Sequence, residues 1–104
     1  MIGKYNGHYS YDKPFIMTNA PDEIGIYYLG LLNGDGSLGV LYVGRAKGED
    51  VSIKSRLLNH LNNNEWPDVT HFGFCICDSE GEATAHEVSE TKRLNYPKYN
   101  QRAG

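Results

Sequence analysis

The 104-residue chain has only two cysteines, Cys75 and Cys77. A disulfide-stapled scaffold is thereby excluded. The pair itself is poorly placed for a bridge, because two side chains two positions apart on a strand share a face in unsuitable geometry. Buried free thiols are expected. The C-x2-C spacing of common zinc sites is missing, so zinc on these thiols with His71 or His86 is the weaker alternative. No run approaches the ~20 apolar residues of a membrane span. The opening stretch, MIGKYNGHYSYDKP, lacks the apolar middle of a signal peptide, so a cytoplasmic protein with no membrane partner is expected. Positive charge is not in excess either: 10 Lys and Arg face 13 Asp and Glu, a net charge of −3, which argues against a generally basic nucleic-acid-coating surface. Repeats, low-complexity tracts and linkers are absent, and the length suits one domain.

What is present is an ordinary globular balance, 39% apolar and 22% charged, which sets disorder aside. Residues 1–24 are rich in Tyr, Gly, Asn and Pro and show no sustained period. They are expected to form an N-terminal arm, loosely ordered or packed on a domain spanning 25–104. Strand-like runs follow at 25–32 and 40–45, joined by the turn signal Asn33-Gly34-Asp35-Gly36, which predicts an antiparallel hairpin. Ile53, Leu57, Leu58 and Leu61 recur at helical spacing, with Asp50 or Ser52 as the N-cap. A third strand is expected over 71–77, with Phe72, Phe74 and Ile76 on one face and Gly73, Cys75 and Cys77 on the other. A second helix is expected over 82–94, with Pro97 marking its exit. The order β-β-α-β-α predicts a small α+β domain with helices flanking a three-stranded, mainly antiparallel sheet.

Some residues do not fit packing alone. On the second helix Ala83, Glu87, Thr91 and Leu94 share a stripe, with Val88 beside them. A carboxylate there is either an edge residue reaching solvent or a group held in a cleft to bind a metal ion, since an unpaired buried charge is costly. On the first helix Arg56 and His60 lie four apart and share a face. The planar, permanently charged guanidinium suits a phosphate.

The order Gly25-Ile26-Tyr27, Tyr42-Val43-Gly44, an Arg on the next helix, a Glu on a later helix and Pro97-x-x-Asn100 resembles the GIY-YIG nuclease family over residues 24–101. The resemblance implies a β-β-α-β-α endonuclease domain that hydrolyses phosphodiester bonds of nucleic acid, with DNA the favoured substrate. Tyr27 and Tyr42 would line the catalytic face and orient water and phosphate. Arg45 stands where a Lys is common and would contact phosphate, as would Lys47, Lys54 and Lys98 around it. Arg56 corresponds to the essential arginine and His60 to a position often held by Tyr or His. Glu87 would be the sole protein ligand of one divalent cation, Mg2+ or Mn2+, and Asn100 would hold the site together by hydrogen bonds.

The chemistry suits these residue types, because a single carboxylate suffices for an ion that keeps water and substrate oxygens as ligands. A free tyrosine is a poor base at its pKa of about 10 unless cations such as Arg45 lower it. The glycines are expected to let a phosphate backbone approach, and Tyr27, Tyr42, Arg56 and Glu87 to converge on one concave surface. Three spacings depart from the family pattern: a long hairpin, the inserted loop at 48–51, and one extra residue between Glu87 and Asn100. No targeting module is recognisable, so a protein partner, a homodimer or the N-terminal arm is expected to supply target selection. The alternative is a catalytically idle module of the same fold that binds nucleic acid or a protein.

Overall fold

The computed structural model describes residues 2–46 and 48–100. In chain order the elements are β1 (Asn6–Ser10), α1 (Lys13–Asn19), β2 (Gly25–Leu32), β3 (Leu38–Ala46), α2 (Ile53–Asn62), β4 (His71–Ile76), α3 (Glu80–Arg93) and a 3-10 turn, Lys98–Asn100. The sheet has four strands in the order β1-β4-β2-β3, antiparallel throughout. Three strands were expected. The fourth, β1, comes from the N-terminal stretch and pairs with β4 (Asn6 opposite Phe74), so that β4 lies inside the sheet. The same stretch contributes α1, whose N-cap Asp12 accepts a bond from the Phe15 N–H and which carries Pro in its first turn.

Strand alternation builds two cores. On one face Tyr27, Leu29, Phe72 and Phe74 pack with Ile16 of α1 and with Ile53 and Leu57 of α2. On the other Ile26, Tyr28, Val43, Cys75 and Cys77 pack with Ala83 of α3. The two cysteines are free and buried on the α3 side, as their spacing predicts. The β2–β3 hairpin turns through residues 33–37, where Asn33 donates to Ser37 through backbone and side chain alike.

Of the two caps proposed for α2, Ser52 is the one used. It forms a reciprocal capping box with Ser55. The backbone N–H groups of Ile53 and Lys54 donate to Glu23 and Pro21, fixing where the helix starts. Ser52→Ala is expected to cost about 1 kcal/mol, read as a lower urea midpoint at an unchanged slope. Among the described residues no helix is long and apolar enough to cross a membrane.

Candidate active site

The outer strand β3 organises the residues singled out above. Along it, Tyr42, Gly44 and Ala46 face α2, while Val43 and Arg45 face α3. Tyr27 of β2 stands directly opposite Gly44. Its ring lies over that glycine so closely that a Cβ there would collide with the ring carbons and the hydroxyl. Because β3 is outermost, the Tyr27 ring points toward the edge of the sheet. Gly25 is bare for a similar reason: a Cβ would meet the Cys75 carbonyl and the Ile53 side chain. The expectation that these glycines admit a phosphate backbone is therefore corrected. The space beside each is filled by the protein itself.

Four of the expected residues gather on the α2 face. The Tyr27 hydroxyl is 2.8 Å from His60 Nε2, and the rings of Tyr27, Tyr42 and His60 meet edge to face or tilted. Arg56, one turn before His60, lies against the Tyr27 hydroxyl. Tyr27 is fully buried and His60 is 6% exposed, whereas Tyr42 and Arg56 are half-buried. Tyr27 therefore does not line an open surface, as had been expected; it links Arg56 to His60 from beneath.

Burial pushes the Tyr27 pKa well above its usual value, Tyr42 adds to the rise, and Arg56 opposes both without prevailing. The nearby cation is thus Arg56 rather than Arg45, and Tyr27 stays protonated at neutral pH. Burial lowers the His60 pKa and Arg56 lowers it further, against an opposing pull from Glu65, so the imidazole is neutral at pH 7. For Arg56 burial disfavours the charge, but Tyr27, Tyr42 and Glu65 together outweigh it and the guanidinium is held protonated.

Glu87 is on the other face. Its Oε1 accepts a bond from Arg45 Nη1 at 2.6 Å, with the Glu87 side chain 17% exposed. Both line a cleft of about 290 Å³ between α3 and β3, together with Thr91, Lys92, Tyr96 and Asn100. Asn100 sits at the junction. Its Oδ1 accepts from the Val43 N–H and its Nδ2 donates to the Val43 carbonyl, at 2.7 and 2.9 Å, which satisfies the backbone of Val43 on the free edge of β3. The single concave surface expected for Tyr27, Tyr42, Arg56 and Glu87 is thus replaced by two half-sites on opposite faces of β3, with Asn100 at the rim between them. The physical reason is strand parity: Tyr42 and Arg45 are three apart and must point to opposite sides.

Of the other lysines expected to contact phosphate, Lys54 and Lys98 are paired. Lys54 lies 4.0 Å from Asp22. Lys98 lies 3.4 Å from Asp68 and sits over the Tyr99 ring. Lys47 falls outside the described residues. Surface pairs of this kind are weak.

Glu90, not Glu87, is the most buried carboxylate of α3. It accepts from Tyr28 at 2.6 Å and from Arg93 at 2.6 and 2.9 Å, and Val88, expected beside the stripe, is exposed. The signal was in the spacing, since 83, 87, 90 and 94 trace one face of a helix and Arg93 stands one turn beyond Glu90. Trp66 was also missed. It lies between His60, at a ring distance of 4.7 Å, and Tyr99, at 5.4 Å, and so joins the buried cluster to the C-terminal turn.

Glu87 is a fitting ligand for a hard divalent cation: a carboxylate opening on a cleft, next to an arginine whose removal from it would free both oxygens. Among the described residues no cluster of three or more His, Cys, Asp or Glu side chains is arranged to hold a metal, so any ion at Glu87 would complete its shell with water and phosphate oxygens. Comparisons of the chain with protein-family models, with curated proteins and with solved structures each return no match.

Proposed function

We propose that this protein is a divalent-metal-dependent endonuclease that hydrolyses a phosphodiester bond of nucleic acid, with DNA the first substrate to test. The observation that carries the reading is the rim of β3. There an arginine–tyrosine–histidine cluster on one side and an arginine–glutamate pair on the other flank a strand edge held by Asn100. A phosphodiester lying across this edge meets Arg56 and Tyr42 from one face and Arg45 from the other. Two guanidinium groups neutralise the phosphate and the charge that builds up on it during attack by water. Tyr27 and His60 hold Arg56 from within, and Asn100 keeps β3 from shifting. Glu87 would hold a Mg2+ or Mn2+, which would supply Lewis acidity for the leaving oxygen. With a cation held at Glu87, Arg45 would be free to contact the phosphate.

A second reading has its own observation. The Arg45–Glu87 pair cancels two of the charges the reaction needs, and the Tyr27 hydroxyl is buried. Both suit a catalytically idle module that only binds nucleic acid or a protein. Incubation with supercoiled plasmid and with single-stranded and duplex DNA and RNA, in Mg2+, Mn2+ or chelator, separates the two. The expected result is metal-dependent nicking that chelator abolishes. Binding without cleavage of any of these substrates in either metal would give the case to the idle module.

A further inference from the structure

Glu65, in the loop after α2, belongs to neither half-site. Its Oε1 is 3.2 Å from His60 Nδ1, off the axis of a hydrogen bond, and that buried nitrogen has no hydrogen-bond partner. A small cavity of about 170 Å³, lined by Tyr11, His60, Glu65, Trp66 and neighbours, leaves the carboxylate room to turn toward it. The other ring nitrogen, Nε2, meets the Tyr27 hydroxyl. A neutral imidazole carries one N–H, so the two contacts cannot be chosen independently.

We propose that Glu65 is a positioning residue: it fixes His60 as the Nδ1–H tautomer, so that Nε2 accepts the Tyr27 proton and the Tyr27 oxygen keeps its lone pairs for Arg56. With the proton on Nε2 instead, the bare Nδ1 lone pair would face a carboxylate, two acceptors against each other. Tyr27 would then have to accept from His60 and turn its own proton toward the guanidinium. Only the Nδ1–H form lets every donor in the chain Glu65–His60–Tyr27–Arg56 meet an acceptor. The groups that act on His60 are Tyr27 from β2, Tyr42 from β3, Arg56 from its own helix, Glu65 from the loop, and Tyr11 across the small cavity. Of these, Glu65 is the carboxylate in contact with the ring.

The inference rests on the nuclease reading only for its kinetic consequence. The main test is therefore structural. Long-range proton–nitrogen NMR spectra of the full-length labelled chain at about neutral pH report the tautomer of each histidine. His60→Gln identifies the His60 signals. Wild type should show the Nδ1–H form. Glu65→Ala should move the population toward Nε2–H and lower the His60 pKa, because the carboxylate no longer favours the imidazolium. Glu65→Gln, whose amide oxygen still accepts from Nδ1–H, should keep the tautomer and lose only the effect on the pKa. Glu65 is exposed, so both variants should keep the wild-type fold, which circular dichroism checks. An Nε2–H tautomer in wild type, or an unchanged tautomer in Glu65→Ala, overturns the proposal. In the cleavage assay Glu65→Ala should lower kcat on the order of tenfold with KM unchanged, and Glu65→Gln should recover most of it. A wild-type protein that fails to cleave would count against the nuclease reading alone, while the tautomer result stands or falls by itself.

Discussion

Glu87→Gln is expected to abolish metal-dependent cleavage while leaving the fold intact and strengthening nucleic-acid binding. Gln keeps the shape of Glu87, and its amide oxygen still accepts from Arg45. What disappears is the negative charge, without which a hard divalent cation would not be held there. The change in affinity follows from the same pair. In the wild type the Arg45 charge is cancelled 2.6 Å away, whereas in the variant it faces the cleft uncompensated and attracts phosphate. Arg56→Ala should differ in a telling way. It loses charge stabilisation on the phosphate, a fall of roughly a hundredfold or more in rate, and binding weakens rather than strengthens. Plasmid nicking and fluorescence anisotropy with a labelled duplex, at one fixed salt concentration, read both quantities. A Glu87→Gln protein that cleaves like wild type removes the carboxylate from the mechanism, and with it the metal.

Gly44→Ala should be a strongly damaging single-methyl change in the sheet. The Tyr27 ring occupies the place of the missing Cβ, and that ring is fully buried with its hydroxyl committed to His60. Neither the ring nor the β3 backbone, held on its far side by Asn100, has room to give. Overpacking of this kind costs about 2–3 kcal/mol, equivalent to a loss of roughly 10 °C or more in Tm for a domain of this size. Gly34→Ala is the control, because nothing lies within 4 Å of the Cβ it would add. Thermal melts of the two should part clearly. Equal melting points would mean that Tyr27 does not rest on Gly44 in solution.

The elements with strong local signals were legible in the sequence. The leucine spacing and Ser52 place α2 at 53–62, and the Asn-Gly-Asp-Gly turn places the hairpin. The alternation of Phe72, Phe74 and Ile76 against Cys75 assigns both faces of β4. Missed was β1, because Asn6-Gly7-His8-Tyr9-Ser10 has no apolar alternation of its own and becomes a strand only by pairing with β4. By contrast α1 had a readable start, Asp12-Lys13-Pro14, which the aperiodic surroundings concealed. The identities of the site residues could be read, but not their distribution over two faces. Parity alone separates Tyr42 from Arg45, whereas the burial of Tyr27 under its own sheet depends on how the Tyr27 ring meets Gly44 across the strands. That contact is non-local and leaves no local mark.

The pairing of β1 with β4 also dictates a sequence of events during synthesis. The hairpin of β2 and β3 closes over a short loop and can form early, whereas β1, made first, has as its sheet partner the last strand to be made. Closing the sheet therefore demands a long-range encounter, the slow kind of step in a small domain. Until residue 76 has left the ribosome, the N-terminal segment has no strand to join and the nascent chain carries an unfinished apolar surface on β2. Folding of this protein should accordingly be late and nearly all-or-none with respect to chain length, and a stalled nascent chain ending before His71 should remain protease-sensitive throughout.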